Sequence, residues 1–205
     1  YFPLGNNWQC SLQTLDIKSG YWLRMNDSAI LEGSGFPYDI KRVYDLHAGA
    51  NLVSFPSQGS FNITDVLPDD IFEHIYAIIG EGQSTIETSE DLENLPEWIG
   101  SLNTFEGLRG YWIFSQEDIS FSYNINPDNM LPRANSQMVE VPVELDFIQS
   151  SEQAFYFVDP SDLENVGIEY GDWIACACGS MIAGSRQYQG EAIDIPAMGY
   201  DGHIS

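Results

Sequence analysis

Basic residues are scarce in this sequence. Only 7 lysines and arginines stand against 31 aspartates and glutamates, which gives a formal net charge of -24 at pH 7. An electric field of that sign repels nucleic-acid phosphates and anionic lipid surfaces. We therefore expect neither nucleic acid nor a membrane surface as a partner, whereas divalent cations are attracted.

Cysteine and histidine are also rare. The residues are Cys10, Cys176 and Cys178, together with His47, His74 and His203. Three cysteines are too few for a disulfide scaffold, and neighbours two apart on a strand point side by side, a poor geometry for a disulfide bond. We interpret the cysteines as small buried apolar residues. The histidines lack the spacing of a metal site.

Long apolar runs and catalytic motifs are missing as well. No stretch approaches the roughly 20 apolar residues that a membrane helix needs, so we expect no membrane insertion. The sequence contains no Gly-x-Ser-x-Gly elbow and no phosphate-binding loop, and we expect no enzyme. The chain opens at Tyr1 without a signal peptide, which suggests a processed product or a fragment.

The chain does contain an internal repeat. Residues 8–23 read WQCSLQTLDIKSGYWL, and residues 98–113 read WIGSLNTFEGLRGYWI, at a constant offset of 90 residues without a gap. The identical pairs are Trp8/Trp98, Ser11/Ser101, Leu12/Leu102, Thr14/Thr104, Gly20/Gly110, Tyr21/Tyr111 and Trp22/Trp112. Two tryptophans, a glycine and a tyrosine in one register predict a repeated structural module.

Alternating and short apolar runs predict mostly strands. The predicted strands are 8–12, 20–25, 43–46, 51–55, 75–79, 98–102, 110–115, 119–123, 138–143, 153–158, 173–178, 181–188 and 193–198. Short helices are predicted at 61–67 and 71–74, and a surface loop at 83–96. The predicted fold is mostly β, with small antiparallel sheets or sandwiches in tandem and one or two short helices in the middle module.

Composition shifts divide the chain into modules. Residues 1–35 are predicted to end a first repeat module, and residues 36–126 to form a complete one, here called the middle module. Residues 127–136, rich in Asn and Pro, are predicted as a linker. Residues 137–205 are predicted as a third β module, here called the third module, which we expect to be truncated.

Several motifs resemble those of a known class of repeat proteins. The segments NLVSF at 51–55 and IGEG at 79–82, with the GYW end of the repeat, form one set. GDWIA at 171–175, GSR at 184–186 and DIPAMGYDG at 194–202 form the other. Together they resemble repeat modules of large secreted, cell-surface or viral structural proteins from marine microbes. The resemblance implies a non-catalytic, β-rich, multi-domain protein at an extracellular, cell-surface or virion location.

Acidic residues in predicted turns form a candidate calcium site. Asp159, Asp162 and Asp172 follow or precede predicted strands, and Asp201 stands in a further turn before Gly202. Calcium takes six to eight oxygen ligands from such residues. The alternative is that aspartate serves here only as a turn residue. No other cofactor is expected.

The tryptophans admit two interpretations. Trp22 and Trp112 lie in apolar GYW segments, and Trp173 precedes an apolar strand, so we expect all three to pack in cores. The alternative is an exposed aromatic platform for sugar rings.

The sequence favours a non-catalytic extracellular structural or assembly protein, as in a filament, surface layer, adhesin or virion. Its expected partners are copies of itself or neighbouring modules of a larger assembly. One alternative is a carbohydrate-binding module of a secreted protein, with a glycan as partner. A second alternative is a secreted acidic hydrolase that uses a pair of carboxylates.

Overall fold

The structure, a computed structural model, describes residues 2–4, 7–9, 12–23, 30, 39–88, 96–131 and 141–200, with the backbone alone for 2–4 and 7–9. The predicted fold class is confirmed: the chain is mostly β, with small antiparallel sheets and short helices. The names middle module and third module are kept below for the described parts of 36–126 and 137–205.

The strands are β1 Phe2–Leu4, β2 Asn7–Gln9, β3 Tyr44–Leu46, β4 Gly49–Ser54, β5 Ser60–Asn62, β6 Ile75–Ile79, β7 Ser84–Glu87, β8 Trp98–Gly100, β9 Thr104–Glu106, β10 Gly110–Ser115, β11 Ile119–Phe121, β12 Gln153–Val158, β13 Trp173–Cys178, β14 Met181–Gln187 and β15 Ile193–Met198. The helices are α1 Ile63–Val66, α2 Asp69–Phe72 and α3 Pro160–Asn165, with 3₁₀ turns at Pro127–Asn129 and Val143–Leu145.

A five-stranded antiparallel sheet forms the middle module, in the order β4-β10-β6-β7-β8. The GYW strand β10 lies between β4 and β6, with Tyr111 opposite Val53 and Ile113 opposite Ile78. Tyr111 and Ile113 are buried on the inner face, whereas Trp112 points to the other face and is half-buried. Two shorter pairs, β11 with β3 and β5 with β9, close the module.

The inner face of this sheet packs on an aromatic core. Phe55, Phe105 and Tyr123 have ring centroids 5.2–5.7 Å apart. Each fully buried side chain of this size contributes roughly 1.5–3 kcal/mol through the hydrophobic effect. This cluster, with Ile78 and Ile113 at its base, therefore fixes the positions of β6 and β10.

The third module consists of two strand pairs, β12 with β15 and β13 with β14. Its small core contains Leu163, Tyr188, Ile193 and Ile195. The two pairs approach each other closely at Gly184, where an added Cβ would overlap the carbonyl oxygen of Pro196. Glycine in the GSR motif is therefore required by the close approach of β14 and β15.

Several local predictions were wrong. The predicted loop 83–96 contains the strand β7, which pairs with β6 on one side and β8 on the other. The predicted helix 61–67 starts as the strand β5, and only Ile63–Val66 is helical. Helix α3 was not predicted. Tertiary strand pairing overrides weak local propensity in such short polar segments.

Other predictions fall partly outside the described residues. Residues 20–23 of the predicted strand 20–25 are described and form no strand, while 24 and 25 lie outside. The linker 127–136 begins with a 3₁₀ turn, and 132–136 lie outside. Residues 138–140 of the predicted strand 138–143 also lie outside, and the described end of that range enters the turn Val143–Leu145.

The buried positions predicted for tryptophan and cysteine were also wrong. Trp22 is 40% exposed, and Trp112 and Trp173 are half-buried. Alternation along β10 directs Tyr111 and Ile113 into the core and so leaves Trp112 on the outer face. Both described cysteines are free thiols: Cys176 is half-buried and Cys178 exposed, and Cys10 lies outside the described residues.

Among the residues described, no helix combines the length and the apolar character that crossing a membrane requires.

Candidate functional site

A cleft of about 900 Å³ opens between the middle module and the third module. One wall is formed by residues 80–83, after β6, and by residues 104–111, which comprise β9, its turn and the start of β10. The other wall contains Phe147, Gln149 and Trp173, together with residues 185–189 at the end of β14. The cleft depends on both modules and on their relative placement.

A buried ion pair fixes that placement. Asp194, in the middle of β15, has no exposed surface, and Arg186 of β14 reaches its carboxylate at 3.2 Å through Nη2. The same carboxylate accepts from the backbone N–H and the hydroxyl of Ser84, and from the N–H of Ser101, at 2.9–3.1 Å. Ser84 and Ser101 belong to the middle module, so a third-module carboxylate satisfies donors of its neighbour.

The Arg186 guanidinium extends this contact. Its Nε donates to the carbonyl of Asp194 at 2.9 Å, and its Nη2 donates to the carbonyl of Gly82 at 2.6 Å. Burial lowers the pKa of Arg186, while the Asp194 carboxylate opposes that change. A buried charge of this kind is stable only when it is paired and hydrogen-bonded, and here both conditions are met.

Residues 80–82 are held from the third module as well. The Gln153 side chain donates through Nε2 to the carbonyl of Gly80 at 3.1 Å and accepts from the N–H of Gly82 at 3.3 Å. Gly82 has a φ of +65°, and a Cβ there would lie 2.8 Å from Nε2 of Gln149. The bonds from Gln153 therefore hold the backbone of residues 80–82 in one conformation at the wall of the cleft.

Arg109 lies on the wall of the middle module, half-exposed. Its Nη1 is 2.8 Å from the Glu81 carboxylate, and its Nε is 3.4 Å from the Glu106 carboxylate. Beside it, the hydroxyl of Tyr111 accepts from the backbone N–H of Glu106 at 2.7 Å. Burial raises the pKa of Tyr111 to about 12, so this phenol stays neutral at physiological pH.

The opposite wall presents an aromatic ring and amides. Trp173, half-buried, pairs in register with Gln187 across β13 and β14. The Gln187 side chain donates to the carbonyl of Gly171 at 2.8 Å, and Gln189 donates to the oxygen of Gln187 at 3.0 Å. These bonds orient two amide groups next to the indole ring.

The first repeat copy shares one hydrogen bond with the second. The hydroxyl of Tyr21 accepts from the N–H of Asp16 at 2.6 Å, as the hydroxyl of Tyr111 does from the N–H of Glu106. The Ser54 N–H donates to the carbonyl of Lys18 at 2.9 Å. The first copy therefore lies along the edge of β4 and keeps the tyrosine bond of the repeat, although its residues 20–23 form no strand and the equivalent residues 110–113 do.

The two copies differ in how far their equivalent apolar side chains are exposed. Leu15 is 72% exposed, whereas its equivalent Phe105 is fully buried. Leu23 is 73% exposed, whereas its equivalent Ile113 is fully buried. Leu15, Tyr21 and Leu23, all exposed, are called the first-copy face below.

The described aspartates predicted for calcium binding lie in caps and turns, where Asp159 and Asp172 bond to residues close in sequence. Asp159 caps α3 by accepting from the N–H and hydroxyl of Ser161, which lowers the pKa of Asp159. Asp162 lies in the first turn of α3, and Asp172 accepts from the N–H of Glu169 at 2.8 Å. Asp201 lies outside the described residues. Within the described ranges, no group of three or more His, Cys, Asp or Glu side chains is placed to hold a metal ion.

No protein-family model, curated protein or solved structure matches the chain.

The GSR and DIPAM motifs contain Arg186 and Asp194, but the sequence did not predict the ion pair that these two residues form where the modules meet. One signal was available, because an aspartate flanked by isoleucines in a predicted strand is unusual. A carboxylate in an apolar strand needs buried donors, and few side chains can supply them. The sequence contains only 7 basic residues, so Arg186, eight positions earlier, was a candidate partner.

Proposed function

We propose that the chain is a non-catalytic structural component of an assembly outside the cell, such as a filament, surface layer, adhesin or virion. The observation that supports this proposal is the contrast between the two repeat copies. They share the hydrogen bond of the repeated tyrosine, but Leu15 and Leu23 of the first copy are exposed whereas their equivalents in the second are buried.

The first-copy face is the proposed assembly contact. In the middle module, the equivalents Phe105, Tyr111 and Ile113 are covered by the aromatic core. A partner that covers Leu15, Tyr21 and Leu23 must present apolar β structure of the same kind. We propose that this partner is another copy of the chain, because subunits built from one repeat carry matching modules.

The energetics favour assembly over a simple dimer. Covering these three side chains, which are 37–73% exposed, contributes roughly 2–6 kcal/mol. Association costs an estimated 4–15 kcal/mol in lost freedom of motion, so one contact alone gives weak binding. Contacts repeated along a filament or layer add through effective concentration. The proposal therefore predicts weak pairing in dilute solution and ordered assembly at high local concentration.

The test combines analytical ultracentrifugation with electron microscopy over a range of protein concentrations. The wild-type protein is expected to form larger species, and ordered filaments or layers, as concentration rises. The double variant Leu15→Glu/Leu23→Glu is expected to remain monomeric, because charges on the first-copy face cannot be buried without partners. The control is Val166→Glu, which alters an apolar side chain that is 74% exposed in the third module.

Two outcomes would count against the proposal. One is a wild-type protein that stays monomeric at every concentration, and the other is equal assembly by the double variant. Immunogold labelling of the native material then tests whether the protein lies on a cell surface or a virion.

A further inference from the structure

We propose that the cleft between the two modules binds a neutral oligosaccharide. This goes beyond a structural role, because it assigns a ligand class to a site that assembly does not require. It also differs from the sugar platform considered for the sequence, which needed exposed aromatic side chains along one sheet face.

The charge of the cleft lining disfavours both cationic and anionic ligands. Among the residues that the structure describes, four charged side chains line the cleft: Glu81, Glu106, Arg109 and Arg186. Counted with Asp194, which pairs with Arg186, their formal charges leave a single negative charge, although the whole chain carries -24. A cation would find many better sites on the acidic surface, and an anion would have to cross the repulsive field of the whole molecule. The cleft thus carries little charge beside the rest of the chain, which suits a neutral ligand.

The lining groups then indicate a ligand rich in hydroxyls. Four glutamines, Gln83, Gln149, Gln187 and Gln189, line the cleft, together with hydroxyls such as that of Thr104. Each amide offers a carbonyl acceptor and two N–H donors in one plane. That combination suits hydroxyl groups, which donate and accept at once. Gln187 and Gln189 use only part of this capacity in their bonds to Gly171 and to each other. A purely apolar ligand would cover the remaining donors and acceptors, at a cost of about 1–3 kcal/mol for each one left unsatisfied.

An aromatic surface completes the site. Trp173 lines the wall of the third module beside Gln187 and Gln189. An indole ring buries a large apolar area and presents a negative face, which suits the C–H groups on one side of a sugar ring. The volume of about 900 Å³ lies at the upper end of small-molecule sites, enough for several sugar rings.

The site is also preorganised. Asp194 and Arg186 lock the two modules together, and Gln153 fixes residues 80–82. Ligand binding therefore requires little ordering of the walls, which lowers its entropic cost.

The test is calorimetric titration of the whole protein with neutral hexasaccharides of glucose, mannose and N-acetylglucosamine. Sulfated hexasaccharides serve as charged counterparts. We expect at least one neutral probe to bind with a dissociation constant of about 10 µM to 1 mM, and the sulfated probes to bind at least about tenfold more weakly. The titration is made on dispersed protein, so its result does not depend on assembly.

Variants locate the binding. Trp173→Ala is expected to weaken the affinity about tenfold or more, and Gln189→Ala about threefold to tenfold. Trp22→Ala, which removes a partly exposed tryptophan outside the cleft, is expected to leave the affinity unchanged. Circular dichroism checks folding. If Trp173→Ala is unfolded, the affinities of Gln189→Ala, at an exposed position, and of the conservative variant Trp173→Phe test the proposal instead.

Three results would overturn the proposal. These are no binding of any neutral probe up to about 5 mM, tighter binding of the sulfated probes, or equal effects of the Trp173 and Trp22 variants. Release of new reducing ends during the titration would instead indicate hydrolysis, the activity of the acidic hydrolase considered for the sequence.

Discussion

Gly20 and Gly110, which occupy equivalent positions in the two repeat copies, lie against each other. A Cβ added to Gly20 would sit 3.2 Å from Cα of Gly110, and one added to Gly110 would sit 3.1 Å from Cα of Gly20. Neither glycine has the positive φ that would by itself require the residue. The glycine of the GYW motif is therefore explained by close approach between one repeat copy and the next.

This contact gives the first prediction. Gly20→Ala and Gly110→Ala are each expected to destabilise the protein by about 1–3 kcal/mol, because the backbones must separate. The double variant is expected to be non-additive, since both methyl groups enter one contact. Urea unfolding measures these changes, with Ser19→Ala as a neighbouring control. Strict additivity would show that the two glycines do not share a contact.

Gly184→Ala probes the close approach of β14 and β15. The added methyl group overlaps the Pro196 carbonyl, so we expect a loss of about 3 kcal/mol or more in the third module. Gly179→Ala is the matched comparison, because that glycine has open space around it and a φ of +65°. It is expected to cost about 1–2 kcal/mol from backbone strain alone. Equal melting temperatures for the two variants would contradict this account.

Asp194→Asn tests the lock between the modules. The substitution leaves the buried Arg186 without a counter-ion, and breaking a buried pair in this way costs about 3–5 kcal/mol. Ser84→Ala removes only one hydroxyl bond to Asp194 and is expected to cost about 1 kcal/mol. Limited proteolysis between the modules and the urea midpoint report the effect. A wild-type midpoint for Asp194→Asn would mean that the ion pair contributes nothing to module docking.

Alkaline pH is expected to destabilise the fold. Burial raises the pKa of Tyr111 to about 12, and burial also raises the pKa values of Tyr123 and Tyr44. In the unfolded chain these phenols ionise near pH 10, so they contribute fully to stability below that pH. For Tyr111 this contribution is lost as the pH rises from 10 through 12, at about 1.4 kcal/mol per pH unit, and Tyr123 and Tyr44 add losses of the same sign. Urea midpoints at pH 8, 10 and 11 measure the slope.

Tyr123→Phe separates the hydroxyl from the ring. The Tyr123 hydroxyl is buried and has no hydrogen-bond partner among the described residues. Its removal is expected to raise stability by up to about 1 kcal/mol at neutral pH, and to make the alkaline loss shallower. Tyr111→Phe is the comparison, because it removes a hydroxyl that accepts from Glu106 and should lower stability by about 1 kcal/mol. Opposite signs at neutral pH are the expected result.

Calcium binding by Asp159, Asp162, Asp172 and Asp201 stays a prediction of the sequence. A calcium concentration of 100 times the dissociation constant would stabilise the folded protein by about 2.7 kcal/mol. The measurement is the melting temperature with a chelator and with excess calcium, for the wild type and for Asp162→Asn. A calcium-dependent increase that Asp162→Asn reduces would establish the site. Identical curves would leave these aspartates as turn and capping residues.

The sequence by itself determined the strands whose apolar pattern is strong. Strands β6, β10 and β12 follow continuous or alternating apolar runs, and burial of those side chains leaves little choice of local structure. The offset of the repeat also determined which residues are equivalent, including the tyrosines whose hydroxyls make the same bond in both copies. Strand β7 was not predicted, because it is short and lies in a polar segment, and its pairing with β6 and β8 forms only in the fold.

Only the tertiary structure decided the site. Trp112 and Trp173 both stand in predicted strands and precede an isoleucine, yet only the fold decides that one lies on an outer sheet face and the other lines a cleft. Asp194 is an acidic residue among many until folding brings the donors of Ser84 and Ser101 to its carboxylate. The physical reason is that a local pattern sets the conformation of a segment. Burial, charge pairing and cleft shape depend instead on contacts between residues about 100 positions apart.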